Sequence, residues 1–450
     1  MQAKHGPIAT ANFFGKIEYY VSDPACVKRI LTSPDFARTD FLIAGSSDLF
    51  TFALFGMATD DVWKTHRRAI AKGMGIQFVK DSYVAMLEFV DELISIWELQ
   101  IGNSDSKSIT VNISEYLSAV TLDVIGRVAF THEFKCLNKL AEKQKQRANK
   151  KRGQKVDKNS LRYNINRFIE VVILRVVAPK SVCNLLGAGP NVLTPVAEYF
   201  DGMVNAFLTP RKEQAFASAN DEGEEGDEDL LSILLQKDED GKRKFTDGEI
   251  RDESIALLLA GHETTSTTLT NIIYNLAQRP HIISKILDEI SAILGPPDSA
   301  TIVTFEQLPQ FKYLDKAIKE CQRITPVIMG LDRVAQTDVE IMGYKFKKGA
   351  HFTCNLQAAS LSPLNWGSDA AEFNPDRFDG NVMDGAFTPF GLGPHMCPGQ
   401  RMALMEIKVV LIQLLPRFNI SIVEGQKLKH VDGITVHLAN GLRVNLEKRV

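Results

Sequence analysis

The chain has 450 residues, 44% of them hydrophobic and 24% charged. Both fractions sit near globular averages, which excludes a wholly disordered or collagen-like chain, and the length suffices for a large core. With 52 basic and 55 acidic residues the net charge is −3, so the overall basic footprint of a nucleic-acid-binding protein is missing.

The first predicted elements are strands. Residues 8–14 and 17–21 are rich in β-branched and aromatic residues, with Gly15-Lys16 between them as a turn. Ser22-Asp23-Pro24 then predicts a helix start, an Asp or Ser cap followed by proline in the first turn. Residues 62 to about 205 are mostly helical in pattern, with Met86, Phe89, Val90, Leu93, Ile94 and Trp97 at spacings of three and four. The run 139–158 holds nine Lys or Arg against two acids. It reads as a solvated surface loop, with contact to an anionic membrane surface or a partner as the other reading. Residues 221–229, seven of nine acidic, read as a disordered connector.

The clearest helix begins at a capping box, Thr246 with Glu249, and its pattern runs to Arg279 before Pro280 stops it. Its length, about 50 Å at ~1.5 Å per residue, requires it to cross the core. A helix over Lys312–Ile324 follows, then short strands at Val339–Ile341, Tyr344–Phe346 and His351–Asn355. Residues 362–399 form a loop rich in Pro, Asn, Asp and Gly, and a last helix covers about 400–415. Asn440-Gly441 between alternating segments predicts a hairpin. Helices dominate, with small sheets near the ends, a mainly α fold of the α+β class.

No signal-peptide pattern is visible, and the longest apolar runs, 255–261 and 409–415, fall far short of the ~20 residues of a spanning helix. The chain as written reads as soluble. The six cysteines are scattered without a C-x-x-C pair, which fits reduced thiols in a cytosol-facing protein.

One cysteine stands apart. Residues 390–399 read FGLGPHMCPG, a rigid loop turned by glycines and prolines, with Cys397 placed just before the last helix. Gly393 allows backbone conformations closed to other residues. A thiol at a helix N-terminus feels the positive end of the dipole, and nearby N–H groups can donate to its sulfur. That environment suits a metal-bound thiolate. The other five cysteines read as small buried hydrophobes.

The spacing F-x-x-G-x-H-x-C-x-G closely resembles the haem-binding loop of the cytochromes P-450, the haem-thiolate monooxygenases. In that family the cysteine is the axial ligand of iron, and its thiolate favours O–O cleavage. The resemblance makes Cys397 the ligand and puts Phe390 and Gly393 of the same loop among the haem-binding residues. His395 stands where arginine is usual and would donate to a haem propionate. Other motifs follow in the family's order. Trp63 and Arg67 match W-x-x-x-R, a propionate clamp, and Arg333 stands where the family places another propionate-binding arginine. Ala260-Gly261-His262-Glu263-Thr264 resembles the oxygen-activation motif, which implies catalytic roles for Thr264 and Glu263 in oxygen binding and proton delivery. Thr264 can also bond the carbonyl of Ala260 and bend the helix. Glu320 and Arg323 resemble E-x-x-R, and Arg377 lies in its partner motif. These three would form a buried network that locks the cysteine loop and takes no part in chemistry.

The resemblance spans residue 7 to the C-terminus. It implies residues 1–450 as one haem-thiolate monooxygenase domain in the cytochrome P-450 fold. A β-rich N-terminal lobe and a larger helical lobe would hold haem between the long helix and the cysteine loop with its following helix. The implied activity is insertion of one oxygen atom from O2 into a lipophilic small molecule, with haem b and NADPH-derived electrons from a flavoprotein reductase. The pocket wall would come from residues 41–57, 257–264, 327–331 and 434–436. The alternatives are an O2-independent haem-thiolate isomerase or dehydratase, and a non-catalytic haem binder or inactive truncated form. Microsomal members carry an anchor before the first hairpin, so a truncated start is favoured. The implied location is then the cytosolic face of the endoplasmic reticulum, and otherwise the cytoplasm.

Overall fold

The computed structural model describes the chain except residues 1–5, 14–15, 39–44, 47–48, 50–52, 149–160, 218–228, 238–241, 297–301, 432–434 and 450. The first strands are β1 (Ile8–Phe13) and β2 (Lys16–Val21), paired antiparallel from Ile8 opposite Val21 to Phe13 opposite Lys16. Helix α1 (Pro24–Thr32) starts as its sequence predicts: Pro24 fills the first turn and the Asp23 side chain accepts from Cys26 N–H. Strand β3 (Phe36–Ala37) follows, then α2 (Asp61–Gly73), α3 (Ile76–Gly102), β4 (Ser108–Asn112), α4 (Ile113–Phe130) and α5 (Cys136–Ala148). Next come α6 (Leu161–Val177), α7 (Lys180–Leu185), α8 (Thr194–Ala217), α9 (Leu230–Leu235) and α10 (Asp247–Ala277). The basic run 139–158 lies in α5 at its start and outside the described residues from 149 on. Of the acidic run only Asp229 is described, and it caps α9 by accepting from Ser232 N–H.

Helix α10 has 31 residues and its capping box is formed in both directions between Thr246 and Glu249. It ends at Ala277, two residues short of the predicted stop, because Pro280 is the first residue of the next helix, α11 (Pro280–Leu294). After α12 (Lys312–Ile324) come β5 (Gly330–Ala335), β6 (Val339–Ile341), β7 (Tyr344–Phe346), β8 (His351–Asn355), α13 (Leu356–Leu361) and α14 (Pro363–Trp366). The chain closes with α15 (Gln400–Leu414), β9 (Phe418–Ile422), β10 (His430–Val431), β11 (His437–Leu438) and β12 (Arg443–Lys448).

Two buried apolar clusters result. The smaller packs α1 against the five-stranded sheet β1-β2-β8-β5-β3, and the larger lies among the helices. Residues 252–259 and 265–273 of α10 are almost all buried, as a helix crossing a core must be. The predicted C-terminal hairpin does not form. A turn closes from Gly441 N–H to Leu438 C=O at 2.9 Å, but β11 pairs with β10, while β12 runs between β4 and β9. The start of α4 intervenes: Ile113 N–H donates to Leu442 C=O, and Leu442 N–H donates to Ser114 Oγ, which turns the chain into the β4 sheet.

Candidate active site

The cysteine loop is held by its own main chain. Cys397 N–H donates to Phe390 C=O at 2.9 Å, and Met396 N–H donates to Gly393 C=O at 3.1 Å. Cys397 is half-buried, three residues before α15, with the N–H groups of Gly399 and Gln400 directed at its sulfur. Burial pushes its thiol up, while those two N–H groups and the Arg67 charge pull toward thiolate; burial prevails. A bound metal reverses that balance, since a coordinating thiol is deprotonated outright. The remaining cysteines are buried or half-buried; burial, aided by Asp23 beside Cys26 and by Asp332 beside Cys354, drives these two up to about 12.

Helix α2 brings Trp63 and Arg67 to this loop. Asp60 caps the helix by accepting from Trp63 N–H. The Trp63 ring lies 4.0 Å from that of His395, and Arg67 Nη2 donates to Met396 C=O at 2.7 Å. Arg333 arrives on β5. The sheet register places Ala37 opposite Val334, so the next step sets Arg38 beside Arg333. Arg38 carried no motif in the sequence and was not expected here. Burial, with Arg333 as neighbour, holds its guanidinium down at about 10.

His395 therefore sits among Arg333, Arg38 and Arg67, and burial together with these three charges lowers it to about 3. It is neutral at any physiological pH. Its Nε2 lies 2.9 Å from Thr59 Oγ1, which already accepts from Arg38 N–H. One hydrogen joins these two atoms, supplied by the hydroxyl or by the ring according to the imidazole tautomer. The other ring nitrogen, Nδ1, is buried with no protein partner, and so is Trp63 Nε1. A buried indole N–H without an acceptor and a neighbouring buried imidazole nitrogen without a partner, with three guanidinium groups around the imidazole, fit a group carrying two carboxylates beside the thiolate. The donor set suits haem and its propionates.

A second group lies on α10. Ala260 is exposed and Gly261, Glu263 and Thr264 are half-buried, an opening in an otherwise buried helix. On the closed side a Cβ at Gly261 would meet Ile125 Cγ1 of α4 at 2.9 Å, so glycine lets the helices touch. Thr264 Oγ1 donates to Ala260 C=O at 2.8 Å, as the sequence predicts. The Glu263 carboxylate accepts from Thr435 Oγ1 at 2.7 Å, a partner that no local pattern marks. The flanking His262 is buried and kept neutral by that burial, its Nδ1 2.6 Å from Leu258 C=O.

A third group ties α12 to the segment 360–377. Glu320 and Arg323 are fully buried and paired through two bonds, of 2.7 and 2.8 Å. Arg323 also donates to the carbonyls of Ser360, Ala370 and Glu372, and lies over the Trp366 ring. Arg377 Nε and Asn374 N–H donate to the same Glu320 oxygen at 3.0 and 2.7 Å. Of the pocket wall expected from the sequence, Ile434 and much of 41–57 lie outside the described residues.

A half-buried cysteine beside a cradle for two carboxylates defines a haem-thiolate site. The cytochrome P450 family profile matches residues 1–440, and the chain belongs to that family of haem-thiolate monooxygenases. It is similar to cytochrome P450 3A18 of Rattus norvegicus, 27% identical over 89% of this chain and 77% of the rat protein. Cytochrome P450 3A28 of Bos taurus is 28% identical over 89% of this chain and 75% of its own. The chloroplastic carotene epsilon-monooxygenase of Arabidopsis thaliana is 27% identical over 99% and 80%. Among the described residues no helix is long and apolar enough to cross a membrane.

Proposed function

We propose that the chain inserts one oxygen atom from O2 into a lipophilic small molecule, by hydroxylation or epoxidation. It would use haem b and electrons passed from NADPH by a flavoprotein reductase. We read residues 1–450 as one domain, which the match over residues 1–440 supports. One observation carries the functional reading: Cys397 shares its cradle with two buried ring nitrogens that have no protein partner, Trp63 Nε1 and His395 Nδ1, and with guanidinium groups.

Haem, when bound, supplies the redox chemistry that activates dioxygen. The chain's own residues do the rest. Cys397 ligates iron, and the N–H groups of Gly399 and Gln400 steady its thiolate. Trp63, Arg67, Arg333 and His395, with Arg38, hold the propionates. Phe390 and Gly393 keep the loop in shape. Thr264, anchored on the Ala260 carbonyl, presents a hydroxyl at the opening of α10. Glu263, one residue away and held by Thr435, supplies protons to it. Glu320, Arg323 and Arg377 fix the loop without touching substrate.

The segments 257–264 and 327–331, which would bound the pocket, are largely apolar and would suit a lipophile. The carotene monooxygenase among its relatives makes isoprenoids a rational part of any substrate panel. The test is turnover of that panel under labelled O2 with NADPH and reductase. One labelled oxygen in a product supports the reading. Conversion without O2 would mark an isomerase or dehydratase. A haem-loaded protein that turns over nothing, while consuming no NADPH, would mark a non-catalytic binder.

A further inference from the structure

Helix α2 meets α10 through a cluster that none of the motifs describes. His66 stands on α2 three residues after Trp63 and is buried, 1% exposed. Its Nδ1 lies 2.7 Å from Glu253 Oε1, and its Nε2 lies 3.4 Å from Glu249 Oε1 one turn earlier on α10. The same Glu253 oxygen accepts from Leu54 N–H at 2.8 Å. Glu253 is also 1% exposed, and its other oxygen is buried without a partner. Between the two acids, Arg251 donates to Leu49 C=O at 2.5 Å and pairs with Asp201 of α8. The segment ahead of α2 is thus tied to α10 at two points, Leu49 and Leu54.

Glu253 stands seven residues before Ala260, about 10 Å along the axis at ~1.5 Å per residue. A loop hung from that point is held at a set height beside the opening of α10. A buried carboxylate is costly to leave unpaired, and His66 is the partner that lets Glu253 stay there and accept the loop N–H. His66 also lies on the same helical turns as Trp63 and Arg67. We propose that Glu253, oriented by His66, is a positioning residue that fixes the loop at residues 53–57 against α10, and thereby sets how bulky a ligand the pocket admits. This rests on the haem-thiolate reading of the pocket, and the test separates the two.

The first arm needs no haem. Hydrogen exchange at residues 53–57 is compared in wild type, Glu253→Ala and Glu253→Gln. Glutamine keeps an acceptor for Leu54 N–H, so exchange should rise about tenfold or more in Ala and little in Gln. The second arm uses two iron ligands read by their Soret shifts, imidazole and the bulkier 4-phenylimidazole. Glu253→Ala should change affinity for 4-phenylimidazole by about tenfold and for imidazole hardly at all. If Glu253→Ala does not fold, His66→Gln takes its place, and exchange at 53–57 should rise there too. Unchanged exchange, or two iron ligands affected alike, overturns the proposal. A wild type without a thiolate-type CO spectrum overturns the haem reading instead, and the exchange arm still decides the tie.

Discussion

A Cβ on Gly393 would stand 2.6 Å from the carbonyl oxygen of Leu31, so the cysteine loop and the end of α1 touch main chain to main chain. Gly393 also has φ +71°, in the left-handed region. Gly393→Ala therefore meets two obstacles, a backbone cost of about 1–2 kcal/mol and a clash that no side-chain rotation relieves. We expect the variant to bind less haem and to melt earlier, measured by haem-to-protein absorbance ratio and thermal unfolding.

Cys397→Ala should abolish the red-shifted Soret band of the reduced, CO-bound protein. Alanine at each of the other five cysteines should leave it in place. A band that survives in Cys397→Ala and vanishes with another cysteine would assign the ligand elsewhere.

Thr264→Ala keeps the helix and the cradle but removes the hydroxyl bonded to Ala260. Haem content should stay near wild type while product formation falls by roughly tenfold or more. Hydrogen peroxide released per NADPH consumed should rise. Unchanged coupling would pass the proton relay to another group.

Removing Arg323 strands the fully buried Glu320 carboxylate, and removing Glu320 strands Arg323. Loss of one partner of a buried pair costs about 3–5 kcal/mol, a large share of a typical stability of 5–15 kcal/mol. Both alanine variants should be insoluble or haem-free. A soluble, haem-loaded Arg323→Ala with normal melting would return the pair to the weak class of surface bridges.

Burial alone would lower the pKa of His66, but Glu253 and Glu249 more than offset it and raise the imidazole above its usual value. A group with a raised folded pKa stabilises fully below its unfolded value, near pH 6.5, and loses that contribution as pH rises through the folded value. The melting difference between wild type and His66→Gln should thus be widest near pH 6 and narrow toward alkaline pH. A difference that widens with pH would show His66 buried in its neutral form.

Local patterns were legible wherever a local cause fixes the structure. The Asp23-Pro24 start, the Thr246–Glu249 box and the bounds of Lys312–Ile324 are all decided within a few residues. The Asn440-Gly441 turn was legible too, but not where its strands go, because Ser114 and Ile113 redirect the chain from far away in sequence. Within the site, Trp63 and Arg67 meet the cysteine loop at His395 and Met396, while Glu320 and Arg323 bond to the segment 360–377. Arg38 was invisible, since its place depends on the β3–β5 register rather than on its neighbours in sequence. Thr435 fell inside the expected wall segment 434–436, but its bond to Glu263 was invisible, as was the role of His66, for the same reason: each acts through an acid more than a hundred residues away.

The order β4-β12-β9 has a consequence for how the protein is made. The strand in the middle of that sheet comes late in the chain, and Thr110 of β4 meets Asn445 of β12 across a separation of 335 residues. As the chain leaves the ribosome, β4 and β9 are both present before the strand that joins them. Until β12 inserts, each presents an unpaired edge able to recruit a strand from another nascent chain. A stall or a premature stop before residue 443 would leave both edges bare, and such products should be cleared by chaperones and proteases or collect in aggregates.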